Sequence, residues 1–330
     1  MNLKNQWLPV AWVKEIKTRP KRFLLCNIPL VLFKLKEEVI VLQDRCPHRG
    51  VPLSEGTLTE DGIQCCYHGW RFNAQGLCVA IPGLNKPIDT HHYCVPTYAT
   101  QVHLGMVFVC LEPDEYTLPL YSVTTLQGKE YLSHCIQFQL KGDLLNVLEN
   151  VLDATHTHFV HAGLLRHNDK RQMVTATLTV EKFSAEIRYE NENKQSGWVS
   201  SLLEHDRQFS IGRFNSPLIA ELEYHNHQHL TAGFTFFLSP VNDTNEYRVF
   251  LLIIYRNHWL NRWVKKFLFL PFIYLAFQQD KIILNKQRMN EAYFPNSHFK
   301  STELDILRPH IERILLGKSI PTKKVLKLHL

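Results

Sequence analysis

The sequence predicts an α+β protein made of a small N-terminal antiparallel β domain and a larger domain in which an antiparallel sheet is followed by helices. Residues 22–43 hold short β-branched and apolar runs separated by turn residues, which is typical of a β meander. Apolar and polar residues then alternate in five segments between residues 175 and 255, which predicts an extended antiparallel sheet. From about His258 onward the apolar spacing becomes helical.

The length and composition allow two hydrophobic cores. The chain has 330 residues, of which 45% are hydrophobic and 21% charged, as in an ordinary globular protein. Residues 112–130, EPDEYTLPLYSVTTLQGKE, contain two prolines and no periodicity, so they predict a connection between domains. We place the boundary near residue 118, which gives domains of 1–118 and 119–330.

The charge balance limits the classes of partner. Thirty-seven Lys and Arg against 31 Asp and Glu give a net charge of +6, too small and dispersed to indicate nucleic acid and compatible with small molecules or acidic proteins. Residues 267–277 form the longest uncharged apolar stretch, shorter than the roughly 20 residues that span a bilayer. The N-terminus lacks the pattern of a secretory signal, so we expect a cytoplasmic protein.

Two short segments combine cysteine and histidine at metal-ligand spacing. RCPHRG contains Cys46 and His48, and CCYHGW contains Cys65 and His68. Two thiolates and two imidazoles are the ligand set of a Rieske [2Fe–2S] centre. Zinc is the alternative metal, but zinc sites with these ligands usually group both cysteines in one pair and both histidines in the other. Here each segment supplies one of each, which favours the binuclear cluster.

The two segments resemble the cluster-binding boxes of Rieske proteins. Cys66 stands where that family usually has Pro, and the spacing to His68 selects Cys65 as the ligand. We expect Cys66 to be a buried thiol, and Tyr67 and Trp70 to pack over the cluster. The first box lacks the additional cysteine that forms a disulfide in respiratory Rieske proteins, so the resemblance implies a lower-potential, oxygenase-like cluster.

A second set of candidate ligands follows a helical stretch in NVLENVLDATHTHFVHAGLL. Asp153, His156 and His161 lie in this run, and two histidines with one carboxylate are the ligands of oxygen-activating non-haem iron enzymes, which leave positions open for oxygen and substrate. The two histidines are five residues apart and cannot share one face of a regular helix. The helix is therefore expected to be distorted or to end between them.

This run, ENxxDxxHxxxxH, resembles the motif of the Rieske non-haem iron oxygenases, specifically the catalytic (alpha) component of the small homo-oligomeric ring-hydroxylating and demethylating type. The resemblance implies that His156 and His161 ligate mononuclear Fe(II). It also implies that Asp153 bridges His156 to His68 of the partner subunit. The catalytic domain is then expected to be helix-grip-like.

The resemblance places the third iron ligand, a carboxylate, on a late helix. The segment FQQDKIILNKQ is similar to the family's EDKxxxxxQ context and nominates Asp280, with Glu291 as the nearest competitor. We expect Ile282, Ile283 and Leu284 to form the packed face of that helix.

The implied activity is hydroxylation, demethylation or a related oxidation of an apolar small molecule, which we expect to be cyclic. The partners implied are O2, a separate ferredoxin or flavin reductase as electron donor, and further copies of the chain in a head-to-tail homotrimer. Two alternatives stay open: a Rieske electron-transfer protein without oxygenase chemistry of its own, and a zinc-stabilised binding protein.

Residues 258–277 combine an apolar run with Trp259, Trp263, Lys265 and Lys266. Such a segment fits an interfacial helix that makes peripheral contact with a membrane. A buried core segment or a subunit contact has the same composition.

Overall fold

The computed structural model describes residues 1–123, 131–167, 171–191, 207–256, 262–294 and 299–330, with backbone alone for residues 256 and 262–269. The chain divides into two compact units. One comprises residues 2–120 and 239–244, and the other comprises residue 1 together with residues 121–238 and 245–330.

The N-terminal unit is built from three small antiparallel sheets. Their strand orders are β1-β10-β9, β2-β3-β4 and β5-β6-β7-β8. The strands are β1 Leu8–Trp12, β2 Lys21–Leu25, β3 Ile28–Leu35, β4 Glu38–Gln43, β5 Thr57–Leu58, β6 Gly62–Gln64, β7 Arg71–Asn73, β8 Cys78–Ala80, β9 Ala99–His103 and β10 Met106–Cys110.

The core of this unit includes the two candidate cluster cysteines. Phe33 of β3, Ile63 of β6 and Phe72 of β7 are fully buried and belong to one hydrophobic cluster that also contains Cys46 and Cys65. Strands from two sheets therefore surround the thiols with apolar side chains. The loops that follow each cysteine start from this core.

The C-terminal unit is organised around one eight-stranded sheet of order β11-β17-β16-β15-β14-β13-β12-β18. The antiparallel α+β architecture predicted from the sequence is confirmed. The strands are β11 Tyr131–Lys141, β12 Met173–Val180, β13 Ser184–Glu190, β14 Phe209–Asn215, β15 Ile219–His225, β16 Leu230–Asn242, β17 Glu246–Arg256 and β18 Thr322–His329.

Strict alternation determines which face of the sheet is apolar. Ala176, Leu178 and Val180 of β12 are buried, as are Ala185 and Ile187 of β13, while the residues between them are more exposed. Successive side chains of a strand point to opposite faces, so these residues form one continuous apolar layer.

Three α-helices accompany the sheet in the described ranges: α1 Leu144–Leu152, α2 Arg262–Glu291 and α3 Arg308–Leu315. Asp143 caps α1 by accepting a hydrogen bond from the N–H of Leu145 at 2.9 Å. Helix α1 is the helical stretch expected before Asp153. Within the described ranges, no helix has the length and apolar content needed to cross a membrane.

Pro309 lies in the first turn of α3, where proline is tolerated. The basic C-terminal segment forms β18, which pairs with β12 at the end of the sheet. One local expectation from the sequence was wrong. Ile282 and Ile283 are 53% and 42% exposed and only Leu284, at 3%, is packed. Trp259 lies outside the described residues, and the side chains of Trp263, Lys265 and Lys266 are likewise not described.

Candidate metal centres

The two cysteine–histidine segments fold into loops with the same backbone closure. The N–H of Gly50 donates to the carbonyl of Cys46 at 2.9 Å, and the N–H of Gly69 donates to the carbonyl of Cys65 at 3.2 Å. Both glycines have positive φ, 77° and 71°, a conformation that side-chain-bearing residues rarely adopt. Each loop therefore turns back on itself four residues after its cysteine and carries its histidine at the turn.

The four candidate cluster ligands are paired by type. The thiols of Cys46 and Cys65 are buried in the same hydrophobic cluster, and the imidazoles of His48 and His68 meet edge to face with ring centroids 4.6 Å apart. A [2Fe–2S] Rieske cluster needs this pairing because the cysteines hold one iron and the histidines the other. The residues therefore fit the binuclear cluster.

The protonation states also suit metal binding by these residues. Burial is the main cause that raises the pKa of Cys46 to about 11, so its thiolate is stable in this core only when a cation neutralises it. Desolvation and the neighbouring charge of His68 lower the pKa of His48. A lowered pKa favours the neutral imidazole, which is the form that binds metal.

Aromatic rings surround the histidine end of the loops. Trp70 stacks on His48 with centroids 4.6 Å apart and planes 3° from parallel, and Tyr93 meets Trp70 edge to face at 5.3 Å. Tyr67 contacts His68 at 3.8 Å but is 61% exposed. Cys66 is exposed rather than buried as expected, because its side chain follows the buried Cys65 on the outer side of the turn.

The second candidate centre begins where α1 ends. Asp153 is the C-terminal cap of α1, and its backbone N–H donates to the carbonyl of Glu149 at 2.7 Å. Its carboxylate accepts hydrogen bonds from the backbone N–H groups of Thr155 at 2.7 Å and His156 at 2.9 Å. The chain then makes a short 3-10 turn, His156–His158. The α-helix thus ends before both histidines, and not between them.

The turns after α1 and one position of α2 bring three side chains together. The ligand atoms of His156, His161 and Asp280 all lie within 4.8 Å of one another. Oδ1 of Asp280 is 3.5 Å from Nε2 of His156 and 3.2 Å from Nε2 of His161. All three side chains are at least four-fifths buried. This group, with two imidazoles and one carboxylate, can hold a metal ion.

The charges at this centre are strongly coupled. Burial alone would lower the pKa of His156, but the carboxylates of Asp153 and Asp280 outweigh it and raise that pKa to about 9. Burial alone would raise the pKa of Asp280, but His156 and His161 lower it to about 2. The pKa of Asp153 is also lowered against the effect of burial, by His156 and Thr155. Both carboxylates are therefore anionic at neutral pH.

The hydrogen bonds of His161 test whether a cation fits. Nδ1 of His161 lies 2.8 Å from the amide oxygen Oε1 of Gln279, which only accepts hydrogen bonds, so Nδ1 carries the hydrogen of the neutral ring. The lone pair is then on Nε2, which faces a carboxylate oxygen of Asp280 at 3.2 Å. Two acceptors at this distance attract only if a proton or a cation lies between them. The donor set therefore fits a divalent metal.

Two amide side chains support the three candidate ligands. Gln279 contacts His161, as described, and Nδ2 of Asn150 donates to Oδ1 of Asp280 at 3.3 Å. Asn150 is in the quoted motif without an assigned role, and Gln279 was missed. Its position directly before Asp280 is the signal that could have identified it.

The competing third ligand lies apart from this group. Oε1 of Glu291 accepts a hydrogen bond from Nδ2 of the buried Asn146 at 3.0 Å. The geometry therefore favours Asp280 over Glu291.

Comparison with known families gives two matches along the chain. A Rieske [2Fe–2S] domain matches residues 6–99. A vanillate O-demethylase oxygenase C-terminal domain matches residues 140–311, which is more than half of the chain.

Similar proteins share part or most of the sequence. Methylxanthine N1-demethylase NdmA of Pseudomonas putida is 25% identical over 305 residues, covering 88% of this chain and 82% of that protein. The 3-chlorobenzoate-3,4-dioxygenase oxygenase subunit of Comamonas testosteroni is 34% identical over 175 residues, covering 51% of this chain. A chloroplastic pheophorbide a oxygenase of Oryza sativa subsp. japonica is 32% identical over 192 residues, also 51% of this chain. The matches span only 40% and 34% of the length of the last two proteins.

Solved structures share the fold over nearly the whole chain. Dicamba monooxygenase bound to dicamba superposes with a TM-score of 0.82 and 17% identity, covering 96% of this chain and 97% of that one. Pseudomonas putida NdmA with caffeine superposes with a TM-score of 0.80 and 19% identity, covering 98% and 97%.

Proposed function

Because the chain belongs to the Rieske non-haem iron oxygenases, with a Rieske domain followed by a vanillate O-demethylase type C-terminal domain, we propose that it is an oxygenase component. It uses O2 and electrons from a separate ferredoxin or flavin reductase to hydroxylate, demethylate or otherwise oxidise an apolar, cyclic small molecule. The observation that carries this proposal is the convergence of His156, His161 and Asp280 within 4.8 Å. A Rieske protein that only transfers electrons needs no such group.

The chain's cofactors are a [2Fe–2S] cluster and a mononuclear iron. In our proposal Cys46, His48, Cys65 and His68 hold the cluster within domain 1–118, and the group of His156, His161 and Asp280 holds Fe(II) within domain 119–330. When bound, the cluster supplies single electrons and the ferrous ion activates dioxygen.

The surroundings of Asp280 support an apolar, cyclic substrate. Phe277 lies one helical turn before Asp280 on α2, stacks on Phe138 of β11 with centroids 4.9 Å apart, and meets Phe236 of β16 edge to face at 5.7 Å. Aromatic side chains bury apolar rings and hold them by stacking. The names of the relatives, which include vanillate and methylxanthine demethylases, support a substrate bearing a methyl group on oxygen or nitrogen as the first class to test.

The test combines metal analysis with a substrate screen. After anaerobic reconstitution with iron and sulfide, the wild type is expected to hold three iron atoms per chain and Asp280→Ala two, with the same cluster absorbance. Lys281→Ala, an exposed neighbour on α2, is the matched control and should hold three. Oxygen uptake and product mass are then measured across methoxy- and N-methyl-substituted rings with a reductase present. Two iron atoms in the wild type would favour the electron-transfer alternative, and zinc in a colourless protein would favour the binding protein.

We also propose Asp153 as the bridge between His156 and His68 of the partner subunit, in a head-to-tail homotrimer. Oδ2 of Asp153 lies 3.4 Å from Nδ1 of His156, which is buried and makes no hydrogen bond to the part of the chain that is described. His68 is exposed at the surface of the N-terminal unit. The carboxylate of Asp153 lies close to one imidazole, and the imidazole of His68 is open to solvent. This arrangement is compatible with contact between two copies of the chain.

Mixed rings test this bridge. His68→Ala and Asp153→Ala chains, each inactive alone, are unfolded, mixed in equal amounts and reassembled. If electrons cross between subunits, about a quarter of the junctions combine an intact His68 with an intact Asp153, so about a quarter of the activity of the wild type returns. If mixing restores no activity although wild-type chains treated alike recover theirs, electrons do not cross between subunits. Sedimentation analysis measures the number of subunits.

We also propose that one surface of α2 makes peripheral contact with an anionic membrane. Tyr274, Leu275, Ile282 and Met289 of α2 are exposed and fall within about 100° of one another around the helix axis. Exposed basic residues flank this stripe on both sides: Lys281, Lys286 and Arg288. An apolar stripe with a basic border suits the interface of a bilayer with anionic headgroups.

Vesicle flotation tests this contact. The wild type should bind vesicles that contain phosphatidylserine and bind less to vesicles of phosphatidylcholine alone, whereas Ile282→Glu with Met289→Glu should lose binding. Val325→Glu, on the exposed face of β18, is the control. If the wild type does not float with phosphatidylserine vesicles, or the control loses binding equally, the contact is excluded.

A further inference from the structure

We propose that Gln279 is a positioning residue that fixes both the tautomer and the orientation of the candidate iron ligand His161. The inference deepens the proposed function, on which it rests, because it concerns how the mononuclear site is prepared for its metal. It assigns a role to a residue that the sequence motifs did not single out.

Two consecutive residues of α2 lie next to the two ring nitrogens of His161. Oε1 of Gln279 lies 2.8 Å from Nδ1 of His161, and Oδ1 of Asp280 lies 3.2 Å from Nε2. The side chain of His161 is only 3% exposed, so water does not compete for either nitrogen. The helix that supplies one ligand therefore also holds another ligand in place.

The amide oxygen decides which ring nitrogen is free to bind a metal. Neutral imidazole carries one hydrogen, and metal binding requires the lone pair on the nitrogen that faces the site. By accepting the N–H of Nδ1, Gln279 keeps that hydrogen away from Nε2. It also restrains rotation of the ring, so that Nε2 stays directed at Asp280.

His156 differs from His161 in this respect. Its Nδ1 is buried and makes no hydrogen bond within the described ranges, and its nearest carboxylate oxygen, Oδ2 of Asp153, is 3.4 Å away. The two histidines therefore have different supports, a neutral amide for His161 and an acidic residue for His156. The ring of His161 is therefore the one that is already oriented before the metal binds.

The experiment measures binding of Co(II), a spectroscopic probe for the ferrous site, to the full chain with its cluster assembled and the mononuclear site emptied by a chelator. Gln279→Leu keeps the size of the side chain and removes the acceptor, so the Kd for Co(II) should rise about 10- to 100-fold. Gln279→Glu retains an acceptor and should bind within about threefold of the wild type. Gln278→Leu, one residue away on the same helix, is the matched control and should bind as the wild type does.

The outcomes separate this inference from the proposed function. Weak binding by Gln279→Leu alone, with the cluster absorbance and thermal unfolding of the wild type, supports the positioning role. Equal Kd values for wild type and Gln279→Leu overturn it, and so does an equal loss in Gln278→Leu or no recovery in Gln279→Glu. If the wild type itself binds no Co(II), the proposed mononuclear site fails instead.

Discussion

Asn150 donates a hydrogen bond to the carboxylate of Asp280, with 3.3 Å between Nδ2 and Oδ1. Asn150 lies on α1 and Asp280 on α2, so this bond joins the helix that precedes the two histidines to the helix that carries the carboxylate. The same oxygen faces both imidazoles. Asn150 is therefore placed to decide which carboxylate oxygen is engaged before a metal arrives.

We predict that Asn150→Leu weakens metal binding at the mononuclear site. Without the amide, the carboxylate of Asp280 loses a donor in a buried setting and can rotate, and loss of such a partner typically costs 10- to 100-fold in metal affinity. Chelator competition with Co(II) measures the effect, and the cluster absorbance serves as internal control. An unchanged affinity would show that the bond plays no part in binding.

Adjacent cysteines in the second cluster loop should behave in opposite ways. Cys65 is buried in the same hydrophobic cluster as Cys46, whereas Cys66 is exposed. We predict that Cys65→Ser abolishes the visible absorbance of the cluster and that Cys66→Ser leaves it unchanged, because only the buried thiol lies beside the other cysteine ligand. Loss of the cluster in Cys66→Ser would reverse the assignment.

Replacing Asp153 should separate metal binding from turnover. Asp153→Asn keeps an oxygen that can accept the N–H bonds of Thr155 and His156 but removes the charge beside the ring of His156. We expect three iron atoms per chain and a fall in turnover of about 100-fold or more. Asp153→Ala also removes the acceptor and should lose about 1–2 kcal/mol of unfolding free energy, like the loss of a helix cap. If Asp153→Asn turns over as fast as the wild type, Asp153 is not the bridge between the two metal centres.

An ion-pair network should contribute strongly to stability. It lies on the face of the eight-stranded sheet opposite the apolar layer of β12 and β13. Arg213 of β14 contacts Glu186 at 2.6 Å, Glu221 at 3.0 Å and Glu223 at 3.4 Å, and Glu221 is 4% exposed. We predict that Arg213→Met lowers the unfolding free energy by about 3–5 kcal/mol, because it leaves buried carboxylates without their cation. Urea unfolding measures it. A loss below about 1 kcal/mol would place the network among weak surface pairs.

Glu223 should make part of that stability dependent on pH. Burial alone would raise its pKa, but His225 at 2.9 Å and Arg213 outweigh it and lower the pKa below the ordinary value of 4.5. A carboxylate with a lowered pKa stabilises the fold above its unfolded-state pKa, and this is lost as the pH falls through its folded-state value. The difference in unfolding free energy between wild type and Glu223→Gln should thus shrink as the pH is lowered below about 4.5. A difference independent of pH would contradict this account.

The sequence predicted the parts of the fold that depend on local periodicity. Alternation in β12 and β13 and the apolar spacing of α1 are visible without any neighbour, because one buried face imposes the period on each element. The strands β15, β16 and β17 were also predicted, but residues 249–254 of β17 are buried on both faces of the sheet. The strands β11 and β18 were missed, although residues 136–141 of β11 alternate between apolar and polar side chains. Both obtain their partners from distant segments, β17 and β12.

In α2, the sequence did not show which apolar residues face the core. Three consecutive apolar residues, Ile282, Ile283 and Leu284, were expected to pack together, but successive residues of a helix point about 100° apart. Only Leu284 can therefore face the core, and the other two are exposed. Composition indicated an apolar helix, while the rotation of the helix about its axis depends on what it packs against.

Ligand type and spacing in the sequence predicted the cluster chemistry, with thiolates and imidazoles in the two loops. The resemblance of two short motifs to a known family predicted the mononuclear site, with two histidines followed by a distant acid. The type and the spacing of these residues are properties of the sequence, so they can be recognised without a structure. The motif nominated Asp280, and the tertiary structure brings it, rather than Glu291, to the histidines. Tertiary structure alone showed that Gln279 contacts His161, that Asn150 contacts Asp280, and that Cys66 is exposed. These facts depend on contacts between segments far apart in the chain, and no local pattern encodes such distances.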